Sequence, residues 1–173
     1  MKGRRSFGGP RRQVDAAQAI DANAARGAAF ALLARRDFCT AELAQQLAER
    51  GFDAAAIDGA IQVLTGEGLL NDARYAEHYV HAHCQRGQGP RRIRQDLKAA
   101  GVAAPLIDET LDVPDWHALA QATRRRKFGD AAPADWPERA RQARFLQYRG
   151  FSTDHIRSAL GGSEADLPFD PDP

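Results

Sequence analysis

The sequence predicts an all-α protein made of three tandem three-helix modules, on three observations: an internal repeat, a steady rhythm of helix starts and stops, and no strand-like alternation. The repeat is a leucine, a glycine four residues on, an apolar residue directly after it, and apolar residues six and ten after the glycine. It reads Leu47, Gly51, Phe52, Ile57, Ile61, then Leu97, Gly101, Val102, Ile107, Leu111, then Leu146, Gly150, Phe151, Ile156, Leu160. The glycines are 50 and 49 residues apart. A glycine after a helix lets the chain reverse in a left-handed cap, and the apolar residue behind it packs back on the helix just left. Each copy is therefore a helix-turn-helix corner, preceded by one more helix.

The elements follow in order. A helix containing Phe30, Leu32 and Leu33 ends near Arg36; Thr40 caps the next, which carries Leu43 and Leu47 and stops at Gly51. Asp53 caps a third with Ile57, Ile61 and Leu64, broken by Gly66 and Gly68. Asp72 caps a helix with Tyr75, Ala76, Tyr79 and Val80 on one face, Pro90 takes the first position of the next, and Asp115 caps one with Trp116, Leu119 and Ala120. The modules span residues 22–70, 71–113 and 114–160 and are expected to stack into an elongated, curved array. The other reading is a single helical globule whose repeat is fortuitous. Residues 1–21, which open with Lys2, Arg4, Arg5, Arg11 and Arg12 and no acid through residue 12, read as a disordered basic arm. Residues 161–173, with Glu164, Asp166, Asp170 and Asp172, read as a disordered acidic tail.

Composition narrows the class. Hydrophobic residues make up 43% of the 173, yet the mean hydropathy is -0.52 because many of them are alanine, which favours small helix contacts over one deep core. Cys39 and Cys84 stand alone, 45 positions apart, and no apolar segment of membrane or signal length lies near the start. A cytoplasmic monomer with free thiols and no membrane association is expected.

The sharpest local feature is Gly87-Gln88-Gly89-Pro90-Arg91-Arg92-Ile93-Arg94. Amides at such a helix start attract anions, and Arg91, Arg92, Arg94 and Lys98 surround it while Ile93 and Leu97 turn inward, as a phosphate-backbone contact requires. A solvated basic face is the alternative. Arg124, Arg125, Arg126 and Lys127 form a run of cations, and Arg139, Arg141, Arg144 and Arg149 follow, so residues 113–160 hold nine basic and five acidic residues. Residues 28–70 hold three basic and six acidic. That polarity suggests one end meeting nucleic acid through salt-sensitive, sequence-independent contacts and the other meeting protein. His78, His81 and Cys84 share a helical spacing, but no fourth ligand has motif spacing, so no metal and no cofactor are expected. No phosphate loop, His-Glu-x-x-His or Gly-x-Ser-x-Gly occurs, and no catalytic residue is singled out. A non-enzyme is expected.

The run Gly68-Leu69-Leu70-Asn71-Asp72-Ala73-Arg74-Tyr75-Ala76, followed by Gly89-Pro90-Arg91-Arg92-Ile93-Arg94-Gln95-Asp96-Leu97 and Gly101-Val102, resembles the signature of the RecX regulatory family. Ala34-Arg35-Arg36-Asp37 to Thr40-Ala41-Glu42-Leu43, with Leu47 and Gly51-Phe52, is similar to the family's first repeat, and the resemblance covers about residues 25 to 160. Asn71, where the family often has an acid, and Asp96, where glutamate is usual, depart from the pattern. The resemblance implies a protein that binds the groove of the RecA recombinase filament and lowers its ATPase, strand-exchange and coprotease activities, with weak, sequence-independent binding to single- or double-stranded DNA. It implies contact roles for Arg74 and Tyr75 as well as Arg91, Arg92, Arg94 and Lys98, while the charge pattern adds Arg86, Arg124, Arg125, Arg126, Lys127, Arg141 and Arg144 as candidate contacts for RecA or DNA. Tyr75 shares a stripe with Tyr79, so packing is the competing role. The alternative function is a stand-alone helix-turn-helix DNA-binding protein or repressor, which the apolar and acidic second helices of the corners disfavour.

Overall fold

The computed structural model describes residues 14–161, so most of the expected basic arm and nearly all of the expected acidic tail lie outside the described residues. The described chain is all-α: α1 (Ala16–Ala19), α2 (Ala22–Leu33), α3 (Thr40–Ala48), α4 (Ala54–Gly66), α5 (Asp72–Gln85), α6 (Pro90–Ala100), α7 (Ala104–Leu111), α8 (Trp116–Phe128), α9 (Trp136–Tyr148) and α10 (Thr153–Leu160). After α1, the helices fall into three successive triplets. No helix among the described residues is long and apolar enough to cross a membrane. The described residues form two compact units, divided between Asp72 and Ala73.

The repeated glycine has the conformation its spacing predicts. Gly51, Gly101 and Gly150 adopt φ of 95°, 89° and 91°. In each corner the apolar residue that follows donates its amide to the repeated leucine's carbonyl: Phe52 to Leu47 at 3.3 Å, Val102 to Leu97 at 3.1 Å, Phe151 to Leu146 at 3.2 Å. This is the six-to-one bond of a Schellman cap, and Phe52, Val102 and Phe151 are buried behind it. The same five positions per repeat thus set both the turn and the seed of each core.

In the first unit, α2 lies on α4 through alanines: Ala25 and Ala29 on one helix, Ala56 and Ala60 on the other, all buried. Small side chains let the backbones approach, and Leu32, Phe38, Leu43, Leu47, Ile57, Leu64 and Leu70 fill the remaining space. The arm expected over residues 1–21 is ordered from residue 14: Asp15 caps α1 through the Gln18 amide, Val14 N–H donates to the Arg50 carbonyl (3.1 Å), and Asp53 N–H donates to the Ala19 carbonyl (2.9 Å). These backbone bonds tie the segment to the α3–α4 corner, a long-range effect that composition does not carry.

Two caps differ from expectation. Thr40 is the first residue of α3, and Cys39 occupies the cap position without a side-chain bond. Asp72 begins α5, and its Oδ1 accepts from both Thr40 N–H (2.7 Å) and Thr40 Oγ1–H (2.9 Å). A carboxylate at a helix N-terminus makes stronger bonds than a hydroxyl and opposes the helix dipole, so a residue 32 positions away displaces the local cap. Burial raises the pKa of the Cys39 thiol, and the charge of that carboxylate pushes it the same way. Asp72→Ala should cost about 1–2 kcal/mol of stability, read as a lower urea midpoint, whereas Thr40→Val should cost less because the backbone bond survives.

Candidate functional site

The site builds on α6 of the second unit. Ile93 and Leu97 are fully buried, which turns Arg91, Arg92, Arg94 and Lys98 to the exposed side. Gly89, the residue before Pro90, packs directly on the α9–α10 corner. A Cβ added there would lie 2.4 Å from the Gly150 carbonyl carbon and from the Phe151 nitrogen; one on Gly150 would lie 2.5 Å from Arg92 Cβ and 2.7 Å from Arg92 N. Gly89 has an ordinary φ of -88°, so the approach of another backbone excludes a side chain. The contact is locked by Gly89 N–H donating to the Arg149 carbonyl (2.8 Å) and Arg91 N–H donating to the Gly150 carbonyl (3.0 Å).

At the start of α6 the Arg91 amide is already bonded by protein, so it is not one of the amides that could receive phosphate. The side chains of Arg91 and Arg92 are exposed. Arg91 and Arg92 line an open groove of about 440 Å³ with Gln95, Asp96, Gln147 and Tyr148. Tyr148 is 78% exposed, a large aromatic face beside two guanidiniums. Sequence reasoning missed it, though its position off the inward stripe of Ala143, Leu146 and Gly150 on a basic helix marks it as outward-facing.

The other cations divide by what they touch. Arg124 is 6% exposed, and its guanidinium donates to the Asp130 and Ala131 carbonyls and to Gln142 Oε1. It organises the α8–α9 loop from inside, which corrects its placement among surface contacts; a cation with three carbonyl-type acceptors is stable in a core where a lone one is not. Arg126 donates to the Gln85 carbonyl (3.2 Å), and its Nη2 lies 2.6 Å from where a Cβ on Gly87 would fall; Arg149 donates to the Arg86 carbonyl (3.0 Å) and lies 5.1 Å over the Phe145 ring. Both fasten the Gly87–Gly89 loop. Arg94 pairs with Asp108, Arg141 with Glu138 (2.8 Å), and Arg125 loosely with Asp130 (3.9 Å). Arg74, Arg86, Lys127 and Arg144 are exposed. Tyr75 is half-buried with its ring 6.0 Å from Tyr79, which in turn stacks on His83 at 3.8 Å. Among the described residues no His, Cys, Asp and Glu side chains converge as a metal site would require.

The corner beneath the groove contains a titratable cap. Ser152 and His155 form a capping box at the start of α10: His155 N–H donates to Ser152 Oγ, and Ser152 N–H donates to His155 Nδ1. Burial, then the neighbouring His117 ring 4.8 Å away and the Arg91 charge, pull the His155 pKa below its ordinary value against the opposing pull of Asp154 and Asp115.

Three family models match the chain in order: the first three-helix domain of RecX over residues 25–64, the second over 71–111 and the third over 115–160. The chain is 48% identical to regulatory protein RecX of Halorhodospira halophila over 145 residues, covering 83% of this chain and 90% of that protein. It is 43% identical to regulatory protein RecX of Vibrio campbellii over 141 residues, covering 80% and 91%. The fold is similar to the crystal structure of RecX from Lactobacillus salivarius, with a TM-score of 0.66 and 23% identity over 82% of this chain and 95% of that one.

Two outcomes are expected from the geometry. Gly89→Ala should destabilise the protein by about 2–4 kcal/mol, because two backbones must separate, and a thermal melt will show it as a loss of many degrees. The unfolded chain takes up the His155 proton at the ordinary value and the folded chain only below it, so this contribution to stability is complete above about pH 7. It declines as pH falls through the ordinary histidine range. His155→Gln, which keeps an acceptor at the cap without titrating, should flatten the midpoint-versus-pH curve between about pH 7 and 5 relative to the parent.

Proposed function

The chain belongs to the RecX family of regulatory proteins, and from that premise we propose that it regulates the RecA recombinase without catalysing a reaction itself, by binding in the filament groove and lowering its ATPase, strand-exchange and coprotease activities. The observation that carries the reading is the groove of Arg91, Arg92 and Tyr148, where two exposed guanidiniums and an exposed ring converge on one strip of the second unit. Guanidiniums attract phosphate without reading sequence, and a tyrosine face accepts any unstacked base. A protein that holds the nucleic acid inside a filament while contacting the filament wall hinders the movement that accompanies ATP turnover. Lys98, Arg144, Lys127 and Arg74 are further exposed cations of the same unit. DNA affinity without RecA is weak in this reading, and the protein acts as a cytoplasmic monomer.

A stand-alone repressor fits the residues less well. The second helices of the first two corners, α4 and α7, expose Asp58 and Glu109, which repel the phosphates flanking a major groove.

The decisive measurement is RecA ATPase on single-stranded DNA against increasing amounts of this protein, with DNA affinity measured in parallel. Inhibition is expected at well under one molecule per RecA, and none at stoichiometric excess would sink the reading. Arg91→Ala with Arg92→Ala should weaken inhibition roughly tenfold and reduce the salt slope of DNA binding by about two, while the melting temperature stays within a few degrees of the parent. Tyr148→Ala should weaken single-strand binding with the salt slope unchanged.

A further inference from the structure

A second surface of the same unit has a different chemistry. Helices α5 and α7, the start of α8 and the segment leading into it enclose an open groove of about 410 Å³ with an apolar lining of Val80, Leu106, Val113 and Leu119. Val113 is 83% exposed. An aliphatic side chain left that bare beside a ready-made cleft is an uncovered contact surface. Glu77 stands on the α5 wall and Glu109 on the α7 wall, neither forms an ion pair among the described residues, and no lysine or arginine lines the groove.

The walls constrain the occupant. Both are helices, whose backbone N–H and C=O groups are bonded internally, so the groove offers no edge on which an extended peptide could pair. An occupant must satisfy its own backbone, as a helix does, and present apolar side chains on one stripe. The two unpaired carboxylates then select cations at the margins of that stripe. We propose that the α5–α7 groove is a docking site for an amphipathic helix of a partner protein, with apolar anchors at i, i+3 or i+4 and i+7 and lysine or arginine flanking them. This surface shares no residue with the Arg91, Arg92 and Tyr148 groove, and it does not depend on the role proposed for that groove.

The groove carries its own reporter, since the half-exposed Cys84 thiol lines it while the chain's other thiol, Cys39, is buried in the first unit. The probe is a fluorescent 18-residue helical peptide with a leucine stripe and lysine flanks, compared with one whose flanks are glutamate and one whose leucines are serine. With the full-length protein, the lysine-flanked peptide should bind saturably and roughly tenfold tighter than the glutamate-flanked one, and it should slow Cys84 alkylation. Glu77→Lys with Glu109→Lys, both exposed and expected to melt like the parent, should invert the preference between the two charged peptides. The proposal is overturned by no saturable binding, by equal affinity for both charged peptides, or by an unchanged Cys84 rate at saturation. It is equally overturned if Arg91→Ala with Arg92→Ala abolishes peptide binding while the glutamate substitutions do not. Self-association of the free protein that Glu109→Lys disrupts would assign the groove to a second copy of the chain and overturn it as well.

Discussion

The second unit depends on the approach of two stretches of backbone, Gly89 before α6 and Gly150 after α9, to a distance that leaves no room for a Cβ on either side. Hydrogen bonds from the Gly89 and Arg91 amides satisfy the Arg149 and Gly150 carbonyls, so polar groups that a tight corner would bury unpaired are bonded across the contact. Arg126 and Arg149 close over the same loop from α8 and from the end of α9. Because α6 begins at this contact, its exposed cations are held in a fixed relation to Tyr148 at the end of α9. The groove is a by-product of the corner.

The contact also sorts the positive charge. Some guanidiniums hold the fold together: Arg124 inside the α8–α9 loop, Arg126 and Arg149 on backbone carbonyls. Others are partly neutralised by neighbouring acids, as Arg94 is by Asp108 and Arg141 by Glu138. Arg91 and Arg92 line the groove itself. A net count of charge along residues 113–160 therefore overstates the surface presented to a polyanion, since a buried or paired cation contributes little field outside.

The first unit reaches its stability differently, with alanine faces between α2 and α4 and a carboxylate that caps α3 from a distance. Its corner is the same Schellman reversal, at Gly51, that recurs at Gly101 and Gly150. At Gly150 the reversal also receives the neighbouring helix start.

The sequence by itself determined the all-α class, the helix-turn-helix corners and the buried residues after each glycine, because these depend on interactions within about a dozen residues: a left-handed cap, a six-to-one bond and a helical stripe. The outward direction of Arg91 and Arg92 followed from the inward direction of Ile93 and Leu97. Tertiary structure alone decided that Asp72 caps α3, that residues 14–20 are tied to a corner, that Arg124 is internal, and that Tyr148 joins Arg91 and Arg92. Each of these joins residues from separate helices or loops through a bond or a close approach. Periodicity reports which face of a helix is covered, but not which distant carbonyl, carboxylate or ring covers it.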